Sequence, residues 1–495
     1  MLLIFVLILS ALLYFYTKKK YNFWTDRNVI HPTPKFPYGN LSEFNGQHFG
    51  LGLHKLYQKY KGKLNFFGIY IFLRPATVIL DLDLAKQILI KDFQHLTDRG
   101  LYSNPKVDPQ TGDLLRARGA KWKNLRSKFT PMFTSGKLKL MFPIMLSIGE
   151  RFREYLDEKI DGAKRKEVDV KEAASRFTTD IIGSTGFGIE INSLREDNNA
   201  FRNACNQLLS GGPSPLKRIF SDTFPSVTNL FRFKLLNKTT TSYFRNVIQE
   251  TIDYREKNNV QRNDFLNLMI QLKNEGKIDG DDDVGYLTMD EIFAQSILFF
   301  IAGFETTATS TSFCLYELAK NPEYQEKARQ SIAETIKKHN ELSYEAINDM
   351  HYLEQCINET LRLHPPGSAL GRVVTSDSYT LPGTNLTLEK GHRIFIPTYA
   401  IHHDAEYYPN PDIFDPSRFA PEQIQKRHAL SFLPFSDGPR NCIGMRLAYL
   451  ELKIGLVHLL TKFRFSLSEN TSVKYGNKGL TLTPENELLL NVEKI

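Results

Sequence analysis

The stretch that begins at Thr288 restricts the fold more than any other. "TMDE" is a capping box, with Thr288 as N-cap and Glu291 three residues on. From there "IFAQSILFFIAGFETTATSTSFCLYELAKN" keeps a helical pattern until Pro322 stops it. A helix of about thirty residues is long for a globular protein and predicts a rod through the centre of one large body. "YLEQCINETLRLH" reads as a second helix, ended by Pro365-Pro366. From Met445 to Thr461 the apolar Leu447, Leu450, Ile454 and Val457 recur at helical spacing. Between 379 and 397, "YTLPGTNLTLEKGHRIFIP" reads as short strands around Pro-Gly and Lys-Gly turns. The predicted class is mainly α with a small, late β region. No internal repeat, low-complexity tract or long Ser/Gly linker divides the 495 residues, which favours a single large domain.

The first residues are of another kind. "MLLIFVLILSALLYFYTKKK" is uncharged from Met1 to Thr17 and then carries Lys18, Lys19 and Lys20. A cleaved signal peptide has its positive charge before the apolar run and a small-x-small site after it, and neither is present. The run spans roughly 25 Å as a helix, close to the thinner bilayer of the endoplasmic reticulum. The lysines after it stay cytosolic by the positive-inside rule. This gives an uncleaved anchor over 1–17, a basic, proline-containing linker over 18–40 and a cytosolic domain over 41–495. "HPTPKFPYGN", with Pro32, Pro34 and Pro37, is read as a short, stiff connector. The glycosylation patterns at Asn40, Asn237, Asn358, Asn385 and Asn470 then face the cytosol and stay unmodified.

Composition narrows the remaining classes. The net charge of +8 comes from scattered residues, so it suits an anionic membrane surface or an acidic partner and leaves no nucleic-acid footprint. Cys205, Cys314, Cys356 and Cys442 form no CxxC pair, which argues against a disulfide framework and a structural zinc site.

Cys442 lies in "FSDGPRNCIG", among turn formers and directly before an apolar helix. Glycines let the backbone turn and approach closely, and the helix after Gly444 points its positive end at the sulfur, the setting for a thiolate of lowered pKa. Arg440, two residues before it, is a fork that clamps carboxylates. The loop therefore fits an axial thiolate ligand to a haem whose propionates meet arginines.

This loop resembles the F-x-x-G-x-R-x-C-x-G haem loop of the cytochrome P-450 family, with Phe435, Gly438, Arg440, Cys442 and Gly444 at every fixed position. "AGFETT", residues 302–307, is similar to the family's oxygen-activation motif. Taken singly, a helical threonine bonds back to the previous turn and a glutamate faces solvent. Glu305 follows an apolar run, however, which places it inside, where a carboxyl needs a partner or a function. Gly303 costs about 1 kcal/mol against alanine within a helix and suits a local opening that admits oxygen. "ETLR" supplies Glu359 and Arg362, which resemble the family's buried E-x-x-R pair, and "DPSRF" supplies its third member, Arg418. Ser417 stands where glutamate is common in that segment; the three are read as a structural network. Trp122 and Arg126 in "WKNLR", and Arg372 in "GSALGRVV", resemble contacts to the haem propionates, and His402 in "IHHD" matches a histidine sometimes found near one. The likeness runs from about residue 30 to the end, and "WKNLRSKFTPMFTSGKLKLMF" is similar to microsomal arthropod members that oxidise foreign compounds.

The resemblance implies the cytochrome P-450 fold, haem b held by Cys442, and mono-oxygenation, RH + O₂ + 2e⁻ + 2H⁺ giving ROH + H₂O. Glu305 and Thr306 would deliver protons, and Ala302 would lie against the haem. Electrons would come from NADPH through a membrane-bound reductase, with a cytochrome b-type protein as a second donor, and Lys121, Lys123 and Lys128 are candidates to meet the acidic face of the reductase. Substrate-facing positions would include the 104–115 loop, Leu298, Ala302, Ala369, Leu370 and Leu480. Apart from the loop these are small or apolar, which favours a lipophilic substrate: a xenobiotic, plant toxin, insecticide, or endogenous lipid or hormone. "FPSVTNLFRF", 224–233, is either a second membrane contact or a buried loop. Three other readings stay open: a thiolate-haem isomerase or dehydratase that needs no reductase, a non-catalytic haem protein, and a membrane-anchored scaffold.

Overall fold

The computed structural model describes residues 2–495 except 45, 211–213, 236–237, 278–284, 478 and 480. Asn237 and Leu480, both singled out above, lie outside the described residues.

The long helix runs unbroken from Met289 to Lys320. Its capping box is closed both ways: the Glu291 N–H donates to Thr288 Oγ1 at 3.2 Å, and the Thr288 N–H donates to Glu291 Oε2 at 3.1 Å. Pro322 opens the next helix, so the chain turns at Asn321. Among the described residues this is the helix long and apolar enough to cross a membrane, but its side chains are mostly buried in the body and it serves as the central rod. Val170–Ile182 and Met445–Leu460 pack against it. Gly303 does not open it. A Cβ there would collide with the side chain of Ile182, so the glycine allows close approach of two helices.

The strands are β1 (Phe66–Ile71), β2 (Arg74–Ile79), β3 (Arg165–Asp169), β4 (Leu370–Val373), β5 (Ser378–Thr380), β6 (Thr387–Glu389), β7 (Arg393–Ile396), β8 (Phe463–Leu467) and β9 (Leu489–Lys494). They form three sheets, ordered β1-β2-β7-β4, β3-β9-β8 and β5-β6. The β region is therefore not confined to the late segment that was expected. β2 pairs in parallel with β7, more than three hundred residues on, and β3 pairs with β9, the last strand. Short-range turn signals cannot show such pairings, because they join distant segments.

The N-terminal helix extends from Leu2 to Tyr21, past the lysines rather than stopping at Thr17. Among its described apolar side chains, Leu3 is 73% and Phe15 65% exposed. The segment after it is not a free connector. Trp24 is fully buried, its indole N–H donates to Ile69 O at 3.0 Å, and a Cβ on Gly68 would strike its ring. Residues 21–40 thus pack on the β1 edge of the sheet core, and a second, helical core surrounds the central rod.

Candidate functional site

Between the two cores lies a cavity of about 810 Å³. The central helix, the cysteine loop, the start of β4 and the helix Pro215–Thr223 all contribute to its wall. Leu298, Ala302, Ala369 and Leu370 line it. From the 104–115 loop only Leu114 and Leu115 do, while Asn104 turns away and donates to Asn229 at 2.8 Å. Leu480 is outside the described residues, and its neighbours Gly479 and Thr481 line the wall.

Local backbone bonds shape the cysteine loop. The Cys442 N–H donates to Phe435 O at 2.8 Å and the Asn441 N–H to Gly438 O at 3.0 Å. Gly438 sits at φ +75°, and a Cβ there would collide with the carbonyl of Leu89, so no other residue fits. Phe435 packs on Tyr449, with ring centroids 5.2 Å apart. Gly444 is the N-cap of Met445–Leu460, and Cys442, just before it, opens onto the cavity. The expected lowering of its pKa is not found. Burial raises the thiol, outweighing the Gly444 N–H and the Arg99 and Arg126 charges that pull it down. The helix terminus alone does not make a thiolate; a metal that takes the sulfur displaces the proton.

Arginines gather beside this sulfur. The Arg440 guanidinium lies 4.6 Å over Trp122 and donates through Nη2 to Ala117 O, while its Nε and Nη1 have no acceptor among the described residues. Arg372 donates through Nη1 to Gly371 O at 2.9 Å, leaving Nε and Nη2 bare. Arg99, which the sequence reading missed, donates to Arg440 O at 2.6 Å and leaves Nε bare. Nothing in "TDRGLY" distinguishes it from a surface arginine. Arg126 grips the loop itself, with 2.8 Å bonds to Asn441 O and Oδ1. Burial, then repulsion from Arg99, pulls Arg372 and Arg440 down to about 9. Clustered, desolvated guanidiniums with unused donors call for anions. A haem fits these residues: one sulfur for the iron, and, among the described residues, five bare buried guanidinium nitrogens on Arg99, Arg372 and Arg440 for its two propionates.

A prediction follows from the bare donors. Arg372→Met removes two unsatisfied buried groups, so the haem-free protein should gain about 1–3 kcal/mol while haem affinity falls. Urea melts of the haem-free protein and a haem titration check the two signs.

Thr306 lines the cavity, and its Oγ1 donates to Ala302 O at 2.6 Å. Glu305 faces elsewhere and accepts from Thr481 Oγ1. Burial pushes its carboxyl up, against the pull of Thr481, Arg218 and Lys171. Thr481 itself lines the cavity and so joins Glu305 to the wall.

The E-x-x-R pair is bidentate, Arg362 Nε and Nη2 each lying 2.7 Å from the Glu359 carboxylate, with no solvent exposure on either side chain. Arg418 Nε lies 3.4 Å from Glu359 Oε1. Ser417 is occupied with Asp415, capping the turn that carries Arg418. His402 corrects its expected place: it does not line the cavity. Its carbonyl accepts from Arg362 at 2.9 Å and its Nε2 from the Leu433 N–H at 2.8 Å, so it braces the approach to the cysteine loop. Burial takes its pKa down to about 3, consistent with a neutral ring accepting that bond.

Of the three lysines offered to a reductase, Lys128 is withdrawn: it is buried and donates to Tyr286 O at 2.6 Å. Lys121 lies 3.4 Å from Glu291, and Lys123 is exposed.

Glu451 was also missed, although a carboxyl inside "LAYLELKIGL" is itself a signal. It is buried, lines the cavity and accepts from Thr307 Oγ1 at 3.1 Å. Burial pushes it up to about 8 from an ordinary 4.5, so the fold holds it protonated. A raised pKa gives stability that is full below the unfolded value and is lost as pH rises through the folded one. Glu451→Gln should remove a decline in stability of up to about 1.4 kcal/mol per pH unit across that window. Melts of wild type and variant from pH 5 to 8 test it.

Comparison with known proteins agrees with this geometry. The family model "Cytochrome P450" matches residues 31–491. The chain is 40% identical to probable cytochrome P450 6a14 of Drosophila melanogaster, over 96% of either chain. It is 39% identical to cytochrome P450 6A1 of Musca domestica, over 99% of this chain and 97% of that one.

Proposed function

The chain belongs to the cytochrome P450 family and is a haem monooxygenase, and on that premise we propose that it oxidises lipophilic small molecules at the endoplasmic reticulum with electrons drawn from NADPH through a reductase. The observation that carries this reading is the convergence of the Cys442 sulfur and the bare guanidinium donors of Arg372 and Arg440 on one cavity. Cys442 would hold the iron, and Arg99, Arg372 and Arg440 the propionates, with Arg126 and Trp122 bracing loop and cradle. When bound, haem supplies oxygen activation and substrate oxidation.

The chain's own residues do the rest. The apolar wall of Leu298, Ala302, Ala369 and Leu370 binds the substrate and excludes water. Thr306 presents a hydroxyl to the cavity, and Glu305, the next residue back, is tied to the cavity wall through Thr481 and would relay protons toward it. The exposed apolar helix Leu2–Tyr21 supports an N-terminal membrane anchor. Leu230 and Phe231, 77% and 63% exposed, support a second contact within 224–233. Lys123 remains a candidate for the reductase face.

Turnover under ¹⁸O₂ tests the reaction. With reductase and NADPH, one labelled oxygen should enter the product, and Thr306→Ala should lower product per NADPH consumed by about tenfold or more. Product formed without reductase and without label would favour the isomerase reading.

A further inference from the structure

The cavity carries a cation that the haem cradle does not use. The helix Pro215–Thr223 is started by Ser214, whose Oγ accepts the Lys217 N–H at 3.3 Å, with Pro215 in the first turn. Its face at Pro215, Arg218, Ile219 and Asp222 follows the spacing of one helical side, and all four residues line the cavity. Among the described residues, the Arg218 guanidinium makes no hydrogen bond and no ion pair, though it is half-buried.

Asp222 and Glu305 attract it through space, but neither makes an ion pair or hydrogen bond with it, and both are held by other groups. Asp222 lies one turn on, but its Oδ1 accepts the Tyr102 N–H at 2.7 Å and its foremost charged neighbour is Arg393. Arg116 adds repulsion and is itself held by Asp113. Glu305 is held by Thr481. The charges around the Cys442 sulfur are Arg99 and Arg126, and those around Arg372 and Arg440 do not include Arg218.

A desolvated, unpaired guanidinium on the wall of an apolar cavity matches a ligand that is apolar along its body and anionic at one end. We propose that this cavity selects lipophilic substrates bearing a single carboxylate, taken by Arg218, with the apolar body directed along Leu298, Ala302 and Leu370. The inference rests on the monooxygenase reading for what then happens to the substrate, but not for the binding itself. A carboxylate accepts two N–H bonds from the planar fork, which a neutral ester cannot match.

The test uses the purified full-length protein and two ligands of equal chain length, radiolabelled dodecanoate and its methyl ester, in equilibrium dialysis below their aggregation limits. Soret shifts are recorded in parallel, and the reduced carbon monoxide spectrum is taken on the same preparation. Dodecanoate should bind roughly 10- to 100-fold more tightly than the ester, the range expected of a charge-assisted bond. Arg218→Gln should bring the acid to the level of the ester without changing ester affinity, and Arg218→Lys should restore part of the preference. Equal binding of acid and ester by wild type would overturn the proposal, as would a preference that survives in Arg218→Gln. A preparation that keeps the acid preference but shows no carbon monoxide band would overturn the monooxygenase reading and leave the anion site standing.

Discussion

Arg362→Ala should prevent the protein from accumulating in its haem-bound form. The substitution leaves the Glu359 carboxylate, with no solvent exposure, facing the Asp415 N–H at 2.9 Å and Arg418 at 3.4 Å as its remaining partners among the described residues. It also strips a donor from the carbonyls of His402 and Ile413. Removing one partner of a buried ion pair costs about 3–5 kcal/mol, a large share of the roughly 5–15 kcal/mol that a fold has to spare. The damage should reach the site, because His402 also accepts from Leu433, which leads into the cysteine loop. Arg362→Lys should rescue little, since an ammonium cannot make both 2.7 Å bonds in the plane of the carboxylate. The double change Glu359→Gln with Arg362→Met removes both charges together and should cost less than Arg362→Ala alone. Haem-to-protein ratio and urea midpoints for the three variants measure this. An Arg362→Ala protein with a midpoint within about 1 kcal/mol of wild type would show that the pair does not support the fold.

How far the sequence foretold this arrangement depended on the range of the interaction. The capping box at Thr288 and Glu291 and the stop at Pro322 are local, and both ends of the central helix lie where they predict. The cysteine loop is legible for the same reason: the positive φ of Gly438 and the N-cap at Gly444 are properties of ten consecutive residues. Pairings across the chain were not legible. Nothing near residue 74 announces that β2 will pair with β7, and "TDRGLY" does not reveal that Arg99 will meet Arg440 O. Gly303 shows the limit from the other side. The sequence shows a glycine within a helix, but whether it opens the helix or admits a neighbour depends on Ile182, more than a hundred residues earlier. Burial was the other blind spot. The helix terminus behind Cys442 argued for a lowered pKa, and the desolvation that reverses the sign arises where the sulfur lies, within a cavity walled by segments distant in sequence.

Cys442→Ser should abolish thiolate ligation with little effect on the fold. Serine is close to cysteine in size, keeps the backbone N–H that donates to Phe435 O at 2.8 Å, and leaves Gly438 and Gly444 in place. What it removes is the soft, polarisable donor that a thiolate offers to iron. The haem-free stability of the variant should therefore stay within about 1 kcal/mol of wild type, while catalytic turnover falls to background.

The most direct single measurement is the carbon monoxide difference spectrum of the reduced, membrane-bound protein, with Cys442→Ser beside it. The account predicts a red-shifted Soret band characteristic of thiolate–haem–CO in the wild type and its loss in the variant. A wild type that binds no haem, or that gives the band of a histidine-ligated haem, would contradict it.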